Sequence, residues 1–155
     1  MTRKSMTLLA ALLIAATSTS ANDVPQSTSQ AYLEVVVLRP ASGGDFEAAR
    51  RVAVRQMEEE PGFIWWQRLE AEDGSKADVL AWVGAEAALA AADRVETAPE
   101  FAPYMAAIET VQYSGHFWAA ADAKKLEFEL STAPFVELAI YSVPNPEPFL
   151  GGQKS

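Results

Sequence analysis

His116 is the sole histidine of the chain, and it sits in an alternating run. Gln112, Ser114 and His116 share one parity, and Tyr113 and Phe117 take the other. In a strand this puts the three polar residues in one row, which must face water, a cavity or hydrogen-bond partners. An imidazole with an ordinary pKa of about 6.5 accepts a proton at neutral pH, so His116 is the candidate base. The competing role is a hydrogen-bonded structural histidine, because the sequence offers it no orienting partner. Trp65, Trp66, Trp82 and Trp118 are the next candidates. Adjacent Trp65 and Trp66 point to opposite faces, so only one of them lines a given cavity. Core packing is the other use of such large side chains. Arg68 shares parity with Trp66 and Glu70, and it either holds an anionic ligand group or closes an ion pair.

Other chemistries find no support. With one His and no Cys, the carboxylates at Glu58 to Glu60 and at Glu70, Glu72 and Asp73 fall at helix and hairpin ends, where acidic residues are ordinarily solvated. No metal-ligand set emerges. Gly43-Gly44 and Gly151-Gly152 lack the strand-to-helix context of a phosphate loop, and no Gly-x-Ser-x-Gly motif marks a serine nucleophile. A net charge of −9 repels phosphate backbones, which argues against a nucleic-acid partner. Arg50, Arg51 and Arg55 cluster, but Glu47–Arg51 and Arg55–Glu59 are four residues apart, so the cluster reads as a solvated helix face.

The elements that would position these groups follow from periodicity. Leu33 to Arg39 is an apolar strand closed by Pro40. Asp45 caps a helix whose buried stripe is Phe46, Ala49, Ala53 and Met57, stopped at Pro61-Gly62. Phe63 to Ala71 and Ala77 to Val83 form a hairpin around Asp73-Gly74. A helix starts at Ala85. Thr97 to Glu100 reads as a capping box for a second helical piece with Phe101, Met105 and Ile108 in the core and a bend at Pro103. Val111 to Trp118 closes the set. The order is βαββαβ, an α+β ferredoxin-like sheet with helices on one face, covering residues 32–118. The extension, 119–155, carries one further strand, Phe135 to Val143. That strand echoes the first: Tyr32-Leu-Glu-Val matches Phe135-Val-Glu-Leu, and Phe46 matches Phe149. It is either the start of an incomplete second repeat or an added edge strand.

Basic Arg3 and Lys4, the apolar run Leu8 to Ala16, and small residues up to Ala21 form a secretory signal pattern over residues 1–21. The apolar run is shorter than the roughly 20 residues a membrane helix needs. The expectation is a periplasmic or secreted protein with no membrane attachment after cleavage, and a flexible lead-in over residues 22–31. Without cysteine it has no disulfide, so the core alone must stabilise it.

The chain resembles the antibiotic-biosynthesis-monooxygenase type of dimeric α/β barrel. The resemblance lies in Glu60-Pro-Gly-Phe63, Val79-Leu-Ala-Trp82, Glu86-Ala-Ala-Leu89 and Pro99-Glu-Phe101, within roughly residues 32–117. It implies a homodimer packed through sheet faces and a small aromatic or hydrophobic ligand held between sheet and helices. It also implies a cofactor-independent monooxygenase acting on a small aromatic or quinol compound, or else a non-catalytic ligand-binding or dimerisation module. On this reading His116 is the base, and Trp66, Arg68, Trp82, Gln112 and Ser114 contact the substrate. The haem-degrading branch also has a Trp at the position of Trp82. It needs in addition a first-strand Asn and a His on the next helix, and both are missing here, so that activity is not expected.

Overall fold

In this computed structural model, residues 10–16 and 30–142 are described, with backbone alone for 10–16 and for 141 and 142. Four antiparallel strands make the main sheet, in the order β3-β4-β2-β5, from β2 (Gln30–Pro40), β3 (Phe63–Glu70), β4 (Lys76–Trp82) and β5 (Ile108–Asp122). With α1 (Phe46–Met57) between β2 and β3 and α2 (Ala85–Thr97) between β4 and β5, this is the ferredoxin-like βαββαβ arrangement. The first strand begins at Gln30, with Ala31 fully buried, so the last two residues of the expected lead-in belong to the sheet. Residues 22–29 lie outside the described residues.

Local chemistry sets the joints. The Asp45 carboxylate accepts from Ala48 N at 2.9 Å and starts α1. Gly62 ends the following turn at φ +81°, and a Cβ there would meet Ala87 and Val83 at 2.7 Å. It is glycine on two counts, conformation and close approach. Gly74, at φ +83°, turns the hairpin, while Asp73 accepts from Ser75 N at 2.9 Å and Ser75 Oγ at 3.1 Å.

The region after α2 departs from expectation. Thr97 caps nothing; its hydroxyl donates back to Asp93 O at 2.7 Å within the last turn of α2. A 3₁₀ turn (Pro99–Phe101) then leads into α3 (Ala102–Ala106). Phe101 is buried there as expected, but Tyr104, not Met105, is its core partner, and Met105 is 39% exposed. The short 3₁₀ turn shifts the helical phase, which a continuous-helix reading cannot anticipate.

Two cores flank the sheet. One joins Leu38, Leu80 and Trp82 to Phe46, Ala53, Met57, Ala88, Ala91, Phe101 and Tyr104, so α1 to α3 cover this face. The other joins Leu33, Val35, Trp65, Val79, Ala81 and Phe117 to Leu126 and Leu130 of a further helix, α4 (Ala123–Thr132). The extension therefore contributes a helix on the opposite face as well as a strand. The sheet face expected to meet a second copy is covered here by the chain itself. The final strand, β6 (Val136–Ser142), packs Val136 and Leu138 onto the same core. It joins neither edge of the main sheet and pairs in parallel with β1 (Ala10–Ala16), from Ala10 opposite Val136 to Ala16 opposite Ser142. Phe149, part of the internal match, lies outside the described residues.

Candidate functional site

Register brings the candidates together on the helix-covered face. Glu34 of β2 lies opposite Leu80 of β4 and His116 of β5; Tyr32 lies opposite Trp82 and Trp118; Trp66 lies opposite Leu80, and Arg68 opposite Asp78. The layer therefore contains two acids within strands that otherwise read as apolar, Glu34 and Asp78.

Asp78 is fully buried and doubly held. Its Oδ2 accepts from the Tyr104 hydroxyl at 2.7 Å, and its Oδ1 accepts from Arg50 Nε at 3.2 Å. The Arg50 guanidinium also stacks over Trp66, 5.0 Å from the ring centroid. Trp66 meets Tyr104 edge-on at 5.5 Å. Burial, then the Asp78 charge, push the Tyr104 hydroxyl far above its usual range, so it stays a donor. Arg50 thus turns inward from α1 and is not part of a solvated face, while Arg51 and Arg55 are exposed.

Among the described residues Glu34 has no such partner. Desolvation pushes its carboxyl up to about 6, and Asp78 adds to the rise. The Trp82 indole N–H lies close enough to oppose that rise, but it falls outside hydrogen-bond geometry and leaves its Nε1 unpartnered. His116, half-buried and stacked on Tyr32 at 5.6 Å, is pushed below the usual imidazole range by desolvation. Among the described residues its Nε2 is buried without a partner, as is Trp66 Nε1. The carboxyl, moved up, titrates closer to neutrality, and the imidazole, moved down, stays unprotonated there; the two stand opposite each other across β2 and β5.

The remaining sequence candidates divide. Trp82 is fully buried and packs edge-on against Phe63 at 5.6 Å, so it backs Glu34 from within the core. Arg68 is tied to Glu47 and Glu70, the ion-pair alternative. Ser114 keeps the parity of His116 but is exposed at the sheet margin. Gln112 leaves the row, because a bulge between the Val37–Tyr113 and Leu38–Val111 pairs gives it no opposite residue, and it too is exposed. Glu34, Asp78, Arg50 and Tyr104 were missed from sequence. The available signal was a lone acid inside each of two apolar strands, since a buried charge must be paired or shift its pKa. An open groove of about 650 Å³, lined by Arg39, Phe46, Glu47, Lys76 and Glu109 among others, borders the site only through Phe46, which packs on Tyr104, and Glu47, which pairs with Arg68.

No family model and no curated protein matches the chain. Several solved structures do. A Chloroflexus aurantiacus protein assigned as an antibiotic biosynthesis monooxygenase is 14% identical, covering 56% of this chain and 89% of its own, with a TM-score of 0.46. SnoaB, a cofactor-independent oxygenase from Streptomyces nogalater, is 19% identical over 60% of this chain and 93% of its own, with a TM-score of 0.42. A conserved Bacteroides thetaiotaomicron protein of unknown function is 23% identical over 59% of this chain and 99% of its own, with a TM-score of 0.42.

Proposed function

We propose that this chain is an exported protein of the antibiotic-biosynthesis-monooxygenase type that binds a small aromatic or quinol compound on the helix-covered face of its sheet and oxidises it without a cofactor. The observation that carries the reading is the Glu34–His116 pair across β2 and β5, both shifted by desolvation and neither held by an ion pair among the described residues. At pH 7 a carboxyl with a pKa of about 6 is mostly ionised. It accepts a phenolic proton with more driving force than an ordinary glutamate. His116 beside it is neutral and shares that task. The resulting phenolate or quinolate is electron-rich and passes an electron to oxygen against the apolar wall of Trp66 and Tyr32. Asp78, Arg50 and Tyr104 satisfy one another, so they hold the wall in place and do not take part in proton transfer.

Oxygen uptake by the processed protein with a panel of hydroquinones and phenols tests this. Glu34→Gln should lower kcat by about 10²- to 10⁴-fold, the usual range for removing a general base, with thermal stability retained. His116→Ala should lower it less. If both variants consume oxygen like the parent, the proton-acceptor assignment is wrong. The second reading, a ligand-binding module without turnover, is favoured by the full burial of Trp82, which keeps one expected contact away from any ligand. Tryptophan quenching by the same compounds with no oxygen uptake would select it.

A further inference from the structure

Charge is unevenly placed around the Glu34–His116 pair. The charge that acts on the partly buried Glu34 is the repulsive one of Asp78. The inward cations of this face are already committed. Arg50 holds Asp78 at 3.2 Å and lies over the Trp66 ring, and Arg68 is tied to Glu47 and Glu70. Arg51 and Arg55 of α1 are exposed. Desolvation keeps His116 below the ordinary imidazole range, so at neutral pH it brings no positive charge. Next to the carboxylate stand aromatic rings. Tyr32 stacks on His116 at 5.6 Å and meets the partly exposed Trp118 edge-on at 4.9 Å. A carboxylate without a counter-charge and the negative faces of aromatic rings share one preference: they attract positive charge and repel negative charge. The indole N–H groups of Trp66 and Trp82, both buried and without a partner among the described residues, offer only neutral dipoles. A dipole takes a hydroxyl or carbonyl oxygen, but it does not offset a second carboxylate beside Glu34.

We propose that this site selects its ligands by charge, taking aromatic compounds that bring a hydroxyl or a protonated amine to Glu34 and refusing those that bring a carboxylate. This rests on the reading above that a small aromatic compound binds at this face, and it is independent of whether that compound is oxidised. A hydroxyl or an ammonium group donates to the Glu34 carboxylate while its ring packs on Tyr32 and Trp118. The ammonium gains more, because its hydrogen bond is charge-assisted and the rings add a cation–π contribution. A carboxylate in the same place has no proton to give and meets a like charge. Arg68, the residue that the sequence offers for an anionic group, is committed to Glu47 and Glu70, so the exclusion is built into the ion pairs of the sheet. The net charge of −9 carries the same sign out to the approaching ligand.

Benzylamine, benzyl alcohol and benzoate test this, because they carry a cation, a neutral donor and an anion on the same ring. Binding at neutral pH is followed by NMR at His116, whose imidazole signal is unique in the chain. Benzylamine should bind tightest and benzyl alcohol next, with benzoate more than about tenfold weaker than benzylamine. Glu34→Gln keeps the shape of the side chain and removes its charge, so it should close most of the gap between benzylamine and benzoate. Tyr32→Leu should weaken benzylamine more than benzyl alcohol, by roughly two- to fivefold. A hydroquinone serves as the reference ligand. If it shifts the His116 signal while the three probes bind equally, benzoate binds tightest or the order survives Glu34→Gln, the charge selection is wrong and the binding reading stands. If neither the hydroquinone nor any probe shifts the signal, this face is not a ligand site, and the charge selection falls with it.

Discussion

The two faces of the sheet are built from alternate residues of the same strands, yet they are different in kind. Leu33, Val35, Val79 and Ala81 face α4 with no buried acid among them, and there, among the described residues, Trp65 Nε1–H donates to Ala123 O at 2.8 Å. One residue along, the helix-covered face carries Glu34, Asp78, Tyr104 and His116, together with the unpartnered nitrogens of Trp66 and Trp82. Unpaired buried polar atoms cost stability and are retained where they do something else. On the proposed function, the difference gives stability to the α4 face and chemistry to the helix face. It also splits the helix face into a satisfied part around Asp78 and an unsatisfied part around Glu34.

The largest expected effect comes from cutting the satisfied part. Asp78→Ala leaves the part-buried Arg50 without its counter-charge and the Tyr104 hydroxyl without its acceptor. Breaking a buried pair from one side costs about 3–5 kcal/mol, and urea unfolding of the variant should read that loss. Asp78→Asn keeps an acceptor and should lose less. Equal, small losses for both would mean that the network is not closed, and the division of the helix face would fail.

Next is the packing of α4. Leu126 is 3% exposed and Leu130 8%, so each alanine variant should lose about 2–5 kcal/mol. If both are neutral, α4 does not sit on the sheet, and that face is free for a second copy, as the sequence resemblance implied.

Much of this contrast was legible in the sequence, and its limits are physical. Parity placed Ser114 with His116 in one row and Arg68 with Trp66 in another, because a strand repeats every two residues whatever its neighbours do, while the meeting of those rows with Trp82 was only implied by the resemblance. Parity failed at Gln112, where a bulge inserts an unpaired residue, and bulges leave little trace in composition. The role of Asp78 needs Arg50 and Tyr104 from two different helices, and no spacing along the chain announces such a meeting. The helix α4 hid behind Lys124, Lys125 and Glu127, since a helix that buries only Leu126 and Leu130 has a faint stripe.

A smaller effect with a distinctive shape is expected from Glu34. Its folded pKa of about 6 lies above the unfolded 4.5, so between these values the folded chain holds the proton more tightly. Stability is therefore present in full below about pH 4.5 and lost as pH rises through 6. At pH 7 the penalty is about 2 kcal/mol, from 1.36 kcal/mol per pKa unit. Glu34→Gln should be more stable than the parent at pH 7 by up to that amount and no more stable at pH 4. His116 works in the other direction: its folded pKa is lowered, so it contributes stability that is present at higher pH and lost as pH falls through its ordinary range. Measuring Glu34→Gln in a His116→Gln background separates the two. A flat difference between pH 4 and 7 would place Glu34 in water and remove the basis for its role as proton acceptor.

The smallest effect tests the α4 face at the polar contact of Trp65. Trp65→Phe keeps most of the buried ring and removes only the donor to Ala123 O. A net loss of about 0.5–1.5 kcal/mol is expected, part of it from the smaller side chain and part from a carbonyl left without its partner. The informative readout is local. Ala123 opens α4, whose start is otherwise fixed by the Asp122 carboxylate accepting from Lys125 N at 2.8 Å. Losing the tryptophan anchor should speed hydrogen exchange in the first two turns of α4 and leave α1 and α2 unchanged. Asp122→Ala should speed the same amides by removing the cap instead, and the double variant should free the helix end altogether. If exchange quickens equally in α1 and α2, the two faces unfold as one unit, and the separation of a stability face from a chemistry face does not hold in solution.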